Sequence, residues 1–183
     1  MNPNPNRPLK IKKRDAAKRQ LETALRLWFE GGDPVSIHTL AAASNEVIHR
    51  LGTKKGRPAL LQEWLSENPK IRSRMVNVQN FFKHASIDSN PSETITLFRH
   101  HSEILLYDSV ICWRRNFRAS DLMFAFALRF RAEHRNRWPV PPWLFESLNR
   151  ADLVQFARGS RKEFLDELLE TLRAHRGKQR RRS

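Results

Sequence analysis

Along most of the chain, apolar residues recur every three or four positions, the period of a helix with one buried face. In "RDAAKRQLETALRLWF", Leu21, Leu25, Trp28 and Phe29 share such a face, and Gly31-Gly32 offers a C-cap. Asp33 and Pro34 then supply an N-cap and a first helical residue. Together these signals predict two helices joined by a GGDP turn, an αα-hairpin. The second helix runs through the alanine-rich "VSIHTLAAASNEVIHR" to Gly52. After the basic loop "TKKGRP", Pro58 and "ALLQEWLSEN" predict a short helix. Pro69 opens another, with Ile71, Met75, Val78 and Phe82 on one side. Beyond the turn-rich "IDSNPSE", a long helix is expected from about Thr94 to Asn116.

The next segment, "SDLMFAFALRFRAEHRNRW", can be read two ways. Leu122, Phe124, Phe126, Leu128 and Phe130 alternate as in a half-buried strand. Good helix formers and a possible cap at Ser120 argue for a helix, and no partner strand is evident to satisfy a lone strand's backbone. The segment is therefore read as a helix buried over much of its circumference. Prolines in "WPVPPW" break the pattern, and a short helix ("WLFESLNRADLVQFA") and an amphipathic one ("RKEFLDELLETLRAHR") follow, the latter with Phe164, Leu168 and Leu172 on one side. The prediction is a single all-α domain over residues 14–176, a bundle of about seven or eight helices. A basic arm (1–13) and a basic tail (177–183) are expected to be disordered.

Composition adds limits. The one cysteine, Cys112, rules out an intrachain disulfide and a multi-cysteine zinc site, and suits a reducing compartment. The first residues lack the apolar core of a signal peptide, and no apolar run approaches the ~18–20 residues of a membrane span. The expectation is a cytoplasmic protein with no membrane partner.

The net charge of +15 is concentrated at the ends: residues 1–20 carry +6, residues 173–183 carry +6, and the body carries +3. Basic tails attract polyanions by counterion release without reading sequence. Lys10, Lys12, Lys13 and Arg14, with Arg176, Lys178, Arg180, Arg181 and Arg182, are the candidate contacts to nucleic acid or an acidic protein. The plainer reading is that they keep the chain soluble.

Several polar residues interrupt apolar faces. His101 and Asp108 lie on the stripe of the long helix, Asn80 and His84 are i, i+4 neighbours in "NFFKHA", and His38, Asn45 and His49 flank the alanine-rich side. A buried Asp needs a partner, and His is an apt one. At least one of His38, His49 or His84 is therefore expected to reach Asp108 or an Asn across the bundle, and His38 or Asn45 is expected to pair with Asn80 and His84 or with Asp108. Such a group forms a pocket for acid–base or metal chemistry, or a satisfied network that selects one packing. His38 and His49 lie roughly 16 Å apart along a helix axis, so one ion cannot bind both. With no H-E-x-x-H, Gly-rich phosphate loop or G-x-S-x-G, no metal or cofactor is implied.

Two further stretches carry possible chemistry. "RFRAEH", Arg129 to His134, resembles the R-x4-H pattern of HEPN-type ribonucleases, helical proteins in which Arg and His promote metal-independent RNA cleavage. That resemblance implies His134 as acid/base and Arg129 on the developing phosphorane charge. The residue after the Arg is usually polar there; here it is Phe130. Otherwise the pair belongs to a solvated basic helix end. Between Arg99 and Arg137 eight arginines face four acids, with Trp113, Phe117 and Trp138 interleaved, a composition that suits RNA stacking or a core with an arginine rim.

In "LWFEGGDPVSIHTLAAASNEVIHRLG" and "NFFKHA" the chain resembles a set of uncharacterised bacterial proteins with similar "DPV-IHTLA" and "NFFKHA" segments. The resemblance spans about residues 20–90. It implies a bacterial origin and an all-helical fold but no activity, and it singles out His38, Asn45, Asn80 and His84. The leading expectation is a non-enzymatic binding or regulatory protein acting through its basic ends. The alternatives are a ribonuclease using Arg129 and His134, and a small-ligand or metal site using His38, His84 and Asp108.

Overall fold

A computed structural model describes residues 8–83, 92, 94–134 and 158–180. Among them are seven helices and no strand, so the all-α expectation holds. The helices are α1 (Lys13–Glu30), α2 (Pro34–Thr53), α3 (Leu60–Glu67), α4 (Pro69–Lys83), α5 (Arg99–Asn116), α6 (Asp121–Glu133) and α7 (Arg161–Arg180).

The GGDP turn forms as its chemistry demands. Gly31 takes φ +69°, a left-handed conformation open to glycine, and the Gly32 N–H closes on the Leu27 carbonyl at 2.8 Å. One residue on, the Asp33 side chain accepts the Ser36 N–H at 2.7 Å, and Pro34 starts α2. The α1 and α2 helices thus pack antiparallel.

The α5 helix lies parallel to α2. Its Ser102, Asp108 and Cys112 meet His38, Asn45 and Ile48 in the same order along the two chains. It begins at Arg99 rather than near Thr94; residues 94–98 are non-helical, and Phe98 is extended at the N-cap. After the turn at 117–120, α6 returns antiparallel. Its alternating apolar residues form a helix: Leu122, Phe126, Leu128 and Phe130 are buried and Phe124 half-buried. A helix satisfies its own backbone, which settles the ambiguity. Ser120 stands at the N-cap, but its hydroxyl makes no cap bond.

Trp28 sits at the centre of the core, edge-on to Phe29 and Phe126 with centroids 4.9 and 4.7 Å away. The α4 face is only half engaged: Met75 and Val78 are buried, while Ile71 is 39% exposed. Phe164 anchors α7 on Phe29, and Leu165 and Leu168 pack against the same core. The α7 helix continues to Arg180, past the boundary expected at residue 176. The expected helix within "WLFESLNRADLVQFA", and residues 1–7 and 181–183, lie outside the described residues.

Gly52 is buried where α2 and α5 end together. A Cβ there would overlap the Arg57 carbonyl oxygen and stand 2.9 Å from Cys112 Sγ. Gly52→Ala is expected to lower the unfolding free energy by about 1–3 kcal/mol. Urea unfolding checks this, and an unchanged midpoint would contradict the close approach.

Candidate functional site

The polar residues of α2, α3 and α5 form a buried network around one carboxylate. Asp108 Oδ2 accepts from Asn45 Nδ2 at 2.9 Å, and Oδ1 accepts from the Leu61 backbone N–H at 3.0 Å. Asn45 Nδ2 also lies 3.0 Å from Ser109 Oγ, and its Oδ1 accepts from Gln62 Nε2 at 2.9 Å. Burial pushes the Asp108 carboxyl up, and the bonds from Leu61 and Asn45 pull it back.

Asn45 meets Asp108, one of the cross-helix pairings expected from the sequence. Among the described residues, neither His38 nor His49 hydrogen-bonds to Asp108 or to an Asn. His38 is fully buried, with Nδ1 3.1 Å from Ser102 Oγ. Its burial, and then the charge of His101, push its pKa down to about 4. His49 acts on Asp108 through its charge, while its own buried Nδ1 has no hydrogen-bond partner. Asn80 is exposed on α4, away from the network. His101 is half-buried nearer the start of α5, against Phe98 and His100. His84 lies outside the described residues. Among the described residues, Asn45 and Asp108 form one group and His38 with Ser102 another.

A second cluster joins α1, α5, α6 and α7 at the end where α5 begins. Glu103 Oε1 accepts from Trp28 Nε1 at 2.9 Å and from Arg161 at 2.8 Å, while His134 Nε2 lies 3.3 Å from Oε2. Arg161 also reaches Glu133 Oε2 at 2.7 Å, and its guanidinium lies 3.7 Å over the Trp28 ring. Arg129 is buried; it donates to Glu133 at 2.6 Å and to the carbonyls of Arg158 and Gly159 at 3.0 and 2.9 Å. Burial alone would raise the Glu103 carboxyl, but His134, Trp28 and Arg161 outweigh it and hold the pKa at about 2.

Arg129 and His134 thus share a cluster, but the Arg129 guanidinium is engaged by a carboxylate and two carbonyls. Arg129 is a buried residue and not part of a solvated helix end. Glu103, Glu133 and His134 bring donor atoms within 4.8 Å of one another, a set that could hold a metal. Arg129 and Arg161 already lie on those carboxylate oxygens, so a cation would have to displace a guanidinium.

The opposite pole gathers exposed cations. The α1 N-terminus, the loop after α2 and the end of α5 meet there. Lys55 Nζ donates to the Asn116 carbonyl at 3.1 Å, and Arg57 to the Arg115 carbonyl at 2.9 Å. Helix C-termini favour such cations. The half-buried Phe117 ring has Lys55 Nζ at 4.1 Å and the Arg14 guanidinium at 5.9 Å. Lys10, Lys12, Lys13, Arg14, Lys54 and Arg118 are exposed in the same segments. Loop 54–57 is not among the nucleic-acid contacts expected from the sequence, its signal being the basic composition of "TKKGRP", whereas Arg118 belongs to the basic–aromatic stretch expected to suit RNA. Trp113 is core, with its indole N–H on the Arg118 carbonyl. The expected C-terminal contacts Arg176, Lys178 and Arg180 lie on α7, and Arg181 and Arg182 fall outside the described residues.

No family model, curated protein or solved structure matches the chain. Among the described residues no helix is long and apolar enough to cross a membrane.

The buried groups predict a pH dependence of stability. Below 6.5, the ordinary value, an unfolded His38 takes up a proton that the folded chain refuses down to about 4. Its contribution is complete above pH 6.5 and is lost as pH falls to about 4, by on the order of 3 kcal/mol. Glu103 acts in a lower window: its contribution is present above about 4.5 and lost toward about 2. Asp108, raised by burial, has the opposite sign, which makes the comparison with a variant necessary. Between pH 7 and pH 4, His38→Gln is expected to lose less stability than the wild type in urea unfolding. Equal losses would contradict a buried neutral His38.

Proposed function

We propose that the protein is a non-enzymatic helical binding protein that contacts nucleic acid through the basic pole at the ends of α2 and α5 and the start of α1. The observation that carries this reading is Phe117, flanked by Arg14 and Lys55 from segments far apart in sequence. Cations around a partly exposed ring suit a polyanion whose bases stack, whereas an acidic protein would use the charges alone. The basic charge of the two chain ends supports the same partner.

RNA cleavage by Arg129 and His134 has weaker support, since the Arg129 guanidinium is turned onto Glu133 and the 158–159 carbonyls. For a single ligand or metal site made of His38, His84 and Asp108, His84 lies outside the described residues, while His38 meets Ser102 and Asp108 meets Asn45.

The test is a salt titration of binding to labelled single-stranded RNA and to duplex DNA. The wild type is compared with a Lys54→Gln, Lys55→Gln, Arg57→Gln triple variant, with folding checked by circular dichroism. The variant is expected to bind more weakly and to flatten the log K against log salt slope by about 0.7 per lost contact on a single strand and about 0.9 on a duplex. No wild-type binding at low salt, or an unchanged slope in the variant, would overturn the proposal.

A further inference from the structure

Next to the Asp108 network, whose donor residue Leu61 also lines it, a groove of about 430 Å³ runs between α3, α4 and the first turn of α5. That volume falls in the range of small-molecule sites. Its walls are apolar: Trp64, Ile71 and Phe98 line it while being 43, 39 and 51% exposed, with Met75 buried behind them. These are large apolar side chains left partly in water on adjoining elements, and burying them against a ligand would be favourable.

The charge at its edge has one sign. Arg74 on α4 and His100 and His101 on α5 line the groove, and among the described residues no acid does. The two imidazoles stand 4.4 Å apart, and burial, His100 and Arg74 all push His101 toward its neutral form. The buried Nδ1 of His101 has no hydrogen-bond partner. The first turn of α5 has no acidic residue and no side-chain cap at Phe98, although a helix N-terminus favours negative charge. Arg74 and His100 are exposed at the groove's rim, where a bound anion could reach them.

The geometry points to a binding site for an amphipathic carboxylate, its apolar body on Trp64, Ile71 and Phe98 and its anionic head on Arg74, His100 and His101. The polar groups at one edge and the apolar walls elsewhere favour an aliphatic body over a nucleobase, whose edge atoms would lie unpaired against those walls.

Isothermal titration calorimetry on the full chain tests this with four probes: decanoate below its micelle concentration, decyltrimethylammonium, acetate and adenosine monophosphate. Decanoate is expected to bind at least about tenfold more tightly than the other three. Arg74→Gln should weaken decanoate about tenfold and leave decyltrimethylammonium unchanged. Ile71→Asn, at a partly exposed position, should weaken both decyl probes if they bind the groove. Absence of decanoate binding, equal binding of the two decyl probes, or tighter binding of adenosine monophosphate would overturn the proposal. So would a decanoate affinity unmoved by Arg74→Gln.

Discussion

Asn45 and Asp108 meet at 2.9 Å in the interior, and this contact sets how α2 lies on α5. A carboxylate removed from water is costly unless its oxygens are hydrogen-bonded. Asp108 finds its donors in the Asn45 amide of α2 and in the Leu61 backbone at the start of α3. Sliding α2 along α5 would strand the carboxylate, so one register is selected over other apolar packings. That register makes the two helices parallel and brings their C-termini together at Gly52 and Cys112.

The two ends of the α2–α5 pair consequently have different chemistry. Where α5 begins, Glu103 and Glu133 face Arg129 and Arg161, with Trp28 and His134 completing the cluster. Charges there are matched and partly dry, so the cluster joins α1, α6 and α7 to the core. Where α5 ends, cations are held by helix carbonyls, which take no charge away. Lys55 and Arg57 are positioned without being neutralised, and Arg14, paired with Asp15 at 3.3 Å, arrives from α1 beside the same Phe117 ring. A matched cluster favours stability; an array of positioned, uncancelled cations favours a polyanion.

Much of the fold was legible in the sequence because its punctuation is local. The Gly31-Gly32-Asp33-Pro34 turn specifies a C-cap and an N-cap within four residues, and the structure uses both. Pro69 likewise starts α4 as expected. The α6 alternation had to be settled by asking what could pair with a strand, which is an argument about the backbone and not about period. The site was less legible. Helical spacing identified Asn45 and Asp108 as buried polar positions and left His38 and Asn45 as alternative partners; which of them meets Asp108 and which meets Ser102 depends on interhelical register. The sequence presents Arg129 either as a catalytic cation or as part of a solvated basic helix end, because basic residues surround it. Its partners Glu133 and residues 158–159 include a stretch distant along the chain. Loop 54–57 and Phe117 come together for the same reason: the parallel α2–α5 pair brings them to one pole.

The account turns on which pole meets the nucleic acid. Backbone amide chemical shifts of the isotope-labelled full chain, followed as single-stranded RNA is added at low salt, test it most directly. The largest changes are predicted in residues 10–14, 54–57 and 114–118, while Glu103, Glu133 and Arg161 stay in place. Changes centred on the Glu103–Arg161 cluster, or no changes at saturating RNA, would contradict the account.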